Sequence, residues 1–107
     1  MKVMKALPAV FLLISVFAGV ANAQNPERRG RAVVREFCAR CHAIGKTGDS
    51  PHPGAPPFRT LGRSFDLDQF PRRLERGISS GHPDMPEFKL GVDDALAVTA
   101  YLRTIQR

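Results

Sequence analysis

Residues 38–42 have the sequence Cys38-Ala39-Arg40-Cys41-His42, and this pentapeptide indicates the kind of site around which the rest of the chain must fold. Two thiols one helical turn apart can each form a thioether with one of the two vinyl groups of a haem. The imidazole that follows at once can then ligate the iron. This C-x-x-C-H spacing is typical of covalent c-type haem attachment. We therefore predict that Cys38 and Cys41 anchor one haem c, and that His42 is an axial ligand of its iron.

Other uses of a C-x-x-C pair fit this chain less well. A thioredoxin-like redox pair requires a strand–helix–strand context, and no such pattern surrounds the motif. A zinc site requires further ligands, but the sequence has no second C-x-x-C pair and no H-x3-5-H to complete four. A plain disulfide between Cys38 and Cys41 would leave His42 without a role.

The start of the chain has the pattern of a secretory signal peptide. Lys2 and Lys5 precede an almost wholly apolar stretch at residues 6–20, and a small-x-small cleavage site follows at residues 21–23. The alternative, an uncleaved membrane anchor, is disfavoured because a spanning helix needs about 20 apolar residues. We predict a signal peptide over residues 1–23 and a single domain over residues 24–107.

Size and charge limit what this domain can be. Cleavage leaves 84 of the 107 residues and lowers the formal charge of +6 by two, to +4, through loss of Lys2 and Lys5. A chain this short buries a modest core, so a covalently held haem would supply the missing apolar centre. The excess of arginine is either a well-solvated surface or a means of steering the protein toward an acidic redox partner. The export signal argues against nucleic acid.

Apolar residues recur with helical spacing in three segments, and no alternating run long enough for a strand is present. We predict helices over residues 26–40, 66–77 and 92–106, with Asp68 capping the second, and loops at 45–61 and 81–88. The fold is therefore predicted to be all-α. The core stripes comprise Gly30, Val33, Val34, Phe37, Cys38 and Cys41 in the first helix, Leu67, Phe70, Leu74 and Ile78 in the second, and Val98, Tyr101, Leu102 and Ile105 in the third.

Met85 is the best candidate for the second axial ligand. It is the sole methionine left after signal-peptide cleavage, and it lies in a loop of turn residues, where a core gap-filler is not expected. His82 and His52 are the rival ligands. A thioether favours ferrous over ferric iron and raises the reduction potential. With both axial positions filled by protein, the site passes electrons and offers no open position to a substrate.

The C-x-x-C-H motif, the proline-rich loop after it, Met85-Pro86 and then Ala100-Tyr101-Leu102 occur in the order found in class I c-type cytochromes, and the chain resembles that family over residues 27–106. The resemblance implies a cytochrome c-like fold, with three main helices and loops wrapped around one covalently bound haem. It also implies that the first and last helices cross with Gly30 against Tyr101. A third implication is that the carbonyl group of Pro56 accepts the second ring proton of His42.

The function implied by this resemblance is that of a monomeric periplasmic electron carrier, not an enzyme. Its partners would be a dehydrogenase or an oxidase, with no stable membrane insertion after cleavage. Two alternatives stay open at this point. One is an electron-entry subunit of a periplasmic dehydrogenase complex. The other is a haem peroxidase or gas-binding protein with an open distal site, in which His82 would be the acid–base group.

Overall fold

The computed structural model of the protein describes residues 2–4 and 25–107, so the predicted signal peptide lies largely outside the described residues. The elements follow in the order α1 (Pro26–Phe37), a 3₁₀ helix (Phe58–Arg63), α2 (Phe70–Arg76) and α3 (Val92–Ile105). Over the described ranges, the one extended pairing is an isolated antiparallel bridge between Ile78 and Phe88. The domain is all-α, as predicted. No helix within residues 2–4 and 25–107 combines the length and the apolar character needed to cross a bilayer.

Helix α1 begins as predicted but ends earlier. The side chain of Asn25 caps it by accepting from the Arg28 amide at 3.0 Å, and proline occupies the first turn. Cys38 leaves the helical backbone conformation at φ −120°, and its amide donates to the Val34 carbonyl at 2.8 Å. The predicted end at residue 40 is therefore wrong. Phe37 is the last residue of the helix, and it is 47% exposed. The prediction from its spacing, that Phe37 belongs to the buried stripe, is therefore wrong.

The crossing of α1 and α3 is the central contact of the fold. Gly30 is buried there. A Cβ atom at this position would overlap the carbonyl oxygen of Ala97 and lie 2.9 Å from Cβ of Tyr101. Glycine therefore lets the two backbones approach closely. The Tyr101 hydroxyl extends the contact by donating to the Ile44 carbonyl at 2.6 Å, just beyond the C-x-x-C-H motif. The prediction that Gly30 packs against Tyr101 is confirmed.

The core is one cluster in which α3 is the common partner. Helix α3 packs against α1, α2 and the 3₁₀ helix. All four predicted core positions of α3 are buried, which confirms its stripe. The cluster consists of Val34, Leu61, Phe70, Leu74, Ala95, Val98, Tyr101, Leu102 and Ile105. The buried faces of α1, α2 and the 3₁₀ helix thus all pack against α3.

Helix α2 is shorter than predicted and lacks the predicted cap. It begins at Phe70 after Gln69, whose side chain makes no capping bond. The Asp68 carboxylate instead pairs with the Arg103 guanidinium of α3, while Asp66 accepts from the Asp68 amide at 2.9 Å. The Asp68 carboxylate thus contacts another helix and does not cap α2, which begins at Phe70.

The 3₁₀ helix falls in a segment predicted to be loop. Its first residue, Phe58, donates its amide to the Ala43 carbonyl at 2.9 Å. Gln106, just after α3, accepts from the Gly62 amide at 2.7 Å and donates to the Phe58 carbonyl at 2.8 Å. These partners are remote in sequence, so no local pattern could predict the helix.

Candidate haem-binding site

The C-x-x-C-H motif forms a tight turn directly after α1. The Cys41 and His42 amides both donate to the Cys38 carbonyl, at 3.2 and 3.0 Å. All three side chains are half-buried, and both thiols are free. Burial raises the pKa of the Cys38 thiol to about 11, because the thiolate would lose its hydration. An uncharged sulfur is therefore preferred at this position, and a thioether remains uncharged at every pH.

The ring of His42 is oriented by the proline loop. Its Nδ1 lies 2.8 Å from the Pro56 carbonyl oxygen. A carbonyl can only accept, so Nδ1 carries the proton and Nε2 has a free lone pair. The Phe58 ring lies against the imidazole, with 4.7 Å between centroids. This is the tautomer that a histidine needs to ligate a metal through Nε2.

The proline loop is tied to the motif at several points. The Ala43 amide donates to the Ser50 hydroxyl at 3.0 Å, and the His52 amide donates to the Cys41 carbonyl at 3.1 Å. Together with the bond from Phe58 to Ala43, these contacts hold the loop without regular secondary structure along most of its length. The loop that carries Pro56 is thus fixed relative to His42.

Met85 lies half-buried in a turn between α2 and α3. Its amide donates to the His82 carbonyl at 3.1 Å. The segment is closed at its base by the bridge between Ile78 and Phe88, whose two hydrogen bonds are 2.8 and 3.2 Å long. The Phe88 ring also meets that of Phe37 at the end of α1, with 6.3 Å between centroids. The loop of Met85 is therefore connected to the residue that precedes Cys38.

Both rival histidines are engaged in hydrogen bonds. Nδ1 of His52 accepts from the Gly54 amide at 3.1 Å, and its Nε2 lies 3.2 Å from the Asp84 carboxylate. Nδ1 of His82 accepts from the Asp84 amide at 3.1 Å. An amide N–H only donates, so each neutral ring carries its proton on Nε2. Ligation of a metal through Nε2 would require the proton to move and these bonds to break, which disfavours both residues as iron ligands.

Comparison with known families places most of the described domain in one family. Residues 25–102 match the model of the family described as cytochrome c oxidase, cbb3-type, subunit III. The chain belongs to this family. The predicted resemblance to class I c-type cytochromes is thereby confirmed, and with it the all-α, cytochrome c-like fold. Membership makes the chain a c-type cytochrome, an electron carrier whose cofactor is covalently bound haem c. Neither a curated protein nor a solved structure matches the chain.

The residues of this cytochrome fit the cofactor that its family implies. The donor set combines two thiols three positions apart with an imidazole whose Nε2 lone pair is free. Apolar side chains that pack on the core while remaining partly accessible, among them Ile44, Phe58 and Ile78, add apolar surface. Cys38, Cys41 and His42 would hold the haem, and the thioether of Met85 is a suitable donor for the second axial position.

Sequence reasoning missed one pair of residues near the site. Asp84 has no motif that links it to His52, from which it is separated by 32 positions. The contact depends on the paths of two irregular loops. The His82-Pro83-Asp84 sequence does indicate a turn, but not the partner that this turn meets.

Proposed function

We propose that this cytochrome is an exported, monomeric, monohaem carrier that passes single electrons between periplasmic redox partners. In this proposal Cys38 and Cys41 hold the haem through thioethers, and His42 and Met85 are the axial ligands. The observation that carries it is the 2.8 Å contact from His42 Nδ1 to the Pro56 carbonyl, beside the two thiols. That contact keeps the ring proton on Nδ1, so that the lone pair of Nε2 is available to bind iron.

The role of each side chain follows from its chemistry. Bound haem supplies a one-electron couple between ferrous and ferric iron. The Pro56 carbonyl orients His42 and increases its basicity by accepting its second ring proton. Met85 provides a soft, neutral donor that favours the ferrous state and raises the potential. With a side chain on each axial position, neither the peroxidase nor the gas-binding alternative has an open coordination position.

The family description supports an oxidase as one redox partner. It names an oxidase subunit, so we infer that a terminal oxidase accepts the electron and that a dehydrogenase or another cytochrome supplies it. The same description favours a second candidate, a permanently bound electron-entry subunit. Gel filtration of the protein from its native source separates the two, because a free carrier elutes as a monomer and a subunit elutes with its complex.

The exposed face of α1 supports an encounter with an acidic surface. Arg28, Arg31 and Arg35 lie on one side of the helix, all exposed, and none forms an ion pair within residues 25–107. Such an arginine stripe raises the encounter rate with an acidic partner at low ionic strength.

The test of this function is the Met85→Ala variant of the holoprotein. We expect loss of the weak sulfur-to-ferric charge-transfer band, faster binding of cyanide and carbon monoxide, and a lower potential. Haem stays attached and helix content changes little, because His42 and both thioethers remain. His82→Ala, which removes the rival ligand from the same loop, keeps the band.

Two results would overturn the assignment of Met85. A spectral change in His82→Ala without one in Met85→Ala would indicate bis-histidine ligation. If neither variant changes the spectrum and the wild type already binds carbon monoxide readily, the distal position is open. The protein would then be a ligand-binding or enzymatic haem protein.

A further inference from the structure

We propose that His52 and Asp84 are positioning residues for the second axial ligand. Their side-chain hydrogen bond ties the Met85 loop to the turn that carries Cys41 and His42, and so keeps the sulfur on the iron. The inference rests on the proposed ligation by Met85.

The His52 side of this contact is fixed by the motif itself. The His52 amide donates to the Cys41 carbonyl at 3.1 Å, so its backbone moves with the C-x-x-C-H turn. The Gly54 amide donates to Nδ1 of His52 at 3.1 Å and sets the tautomer. The proton is therefore on Nε2, which donates to the Asp84 carboxylate across 3.2 Å. The contact is formed by a neutral histidine.

The Asp84 side is equally defined. The Asp84 amide donates to Nδ1 of His82 at 3.1 Å, and the Met85 amide donates to the His82 carbonyl at the same distance. These bonds make a stiff turn in which Met85 follows Asp84 directly. The His82 ring also meets the His52 ring edge-on, with 5.7 Å between centroids. Movement of the Met85 backbone away from the motif therefore requires Asp84 to leave His52.

Side-chain burial does little to hold this turn, although the bridge between Ile78 and Phe88 closes it at its base. Between residues 81 and 87 every side chain is exposed except that of Met85, which is half-buried. Apolar burial therefore contributes little to the free energy that holds this loop against the proline loop. A polar contact between the two loops should then make a measurable contribution to that free energy. The side chains of His52 and Asp84 are 34% and 65% exposed, so water competes with the bond and its effect is moderate.

The experiment measures how often Met85 leaves the iron. Cyanide binds to ferric holoprotein after the axial ligand dissociates, so its binding rate reports loop opening. We expect Asp84→Ala and His52→Ala each to raise this rate about fivefold, the effect of losing one ordinary hydrogen bond. The double variant is expected to be no faster than either single one, because both remove the same bond.

Two matched variants separate positioning from loss of charge. Asp84→Asn keeps an oxygen that accepts from Nε2 of His52, and its rate is expected to stay close to that of the wild type. Asp49→Ala removes an exposed acid of the proline loop that has no ion pair within residues 25–107. It is expected to leave the rate and the charge-transfer band unchanged.

The outcomes distinguish this inference from the proposed function. Wild-type rates in Asp84→Ala, an Asp84→Asn variant as fast as Asp84→Ala, or additive effects in the double variant would each overturn the role of the pair. If the charge-transfer band survives Met85→Ala, the ligation itself fails, and the positioning role fails with it. If the band is lost in Met85→Ala while the pair variants behave as the wild type, the ligation stands without the pair.

Discussion

Replacement of Gly30 by alanine tests the helix crossing on which the fold depends. In an open helix this change stabilises by about 1 kcal/mol, because alanine is the better helix former. Here the new Cβ would overlap the carbonyl oxygen of Ala97 and approach Cβ of Tyr101 to 2.9 Å. Neither atom belongs to a flexible side-chain end, so the helices must separate.

The expected magnitude follows from these two opposing effects. Overpacking of a well-packed contact costs about 1–3 kcal/mol, and an overlap with backbone belongs at the upper end of that range. After subtraction of the helix-propensity gain, Gly30→Ala should destabilise the holoprotein by about 2 kcal/mol. For a domain of this size the loss corresponds to a Tm lower by about 10–15 °C.

The assay is thermal and urea unfolding of the ferric holoprotein, followed by far-ultraviolet circular dichroism. Gly45→Ala is the matched control, because a Cβ added at Gly45 meets no atom within 4 Å. We expect the control to unfold within about 0.5 kcal/mol of the wild type. A Gly30→Ala protein that is as stable as the wild type, or more stable, would refute the argument from the crossing.

Three further predictions concern the cofactor, the export signal and the charged surface. Haem should stay with the polypeptide during acid–acetone extraction, because two thioethers hold it; release of free haem would contradict attachment at Cys38 and Cys41. Mass analysis of the mature protein should give a first residue of Gln24, whereas retention of residues 1–23 would indicate a membrane-anchored cytochrome. Replacement of Arg28, Arg31 and Arg35 by glutamine should slow reduction by an anionic donor such as ferrocyanide and flatten its salt dependence. An unchanged rate at low salt would mean that this stripe does not steer encounters.

Features set by local chemistry could be predicted from the sequence. The period of apolar residues identified α1 and α3, and the resemblance to class I c-type cytochromes implied the close crossing at Gly30 that the structure shows. The spacing of Cys38, Cys41 and His42 indicated the cofactor because the chemistry of attachment dictates it. In each case the residues that matter lie within a few positions of one another, or match a pattern with one physical cause.

Features decided by remote partners could not be predicted. Asp68 has a side chain suited to capping a helix, but its carboxylate forms an ion pair with Arg103 of α3. Phe37 follows the apolar period, yet it is the last residue of α1 and its side chain is exposed beside Phe88. The 3₁₀ helix depends on Gln106, 44 positions from its partner Gly62. Local propensity carries no information about these contacts, because tertiary packing overrides it.

The crossing of α1 with α3 also has a consequence for how this cytochrome matures. Tyr101 and Ile44, which the crossing joins, are 57 positions apart, so the core closes only when a long loop has been brought together. A chain that emerges from its amino end presents both thiols well before α3 is available to cover α1. On such an open chain both cysteines are reachable. Closure of the crossing leaves them half-buried, so the unfolded chain exposes the two thiols more than the folded domain does.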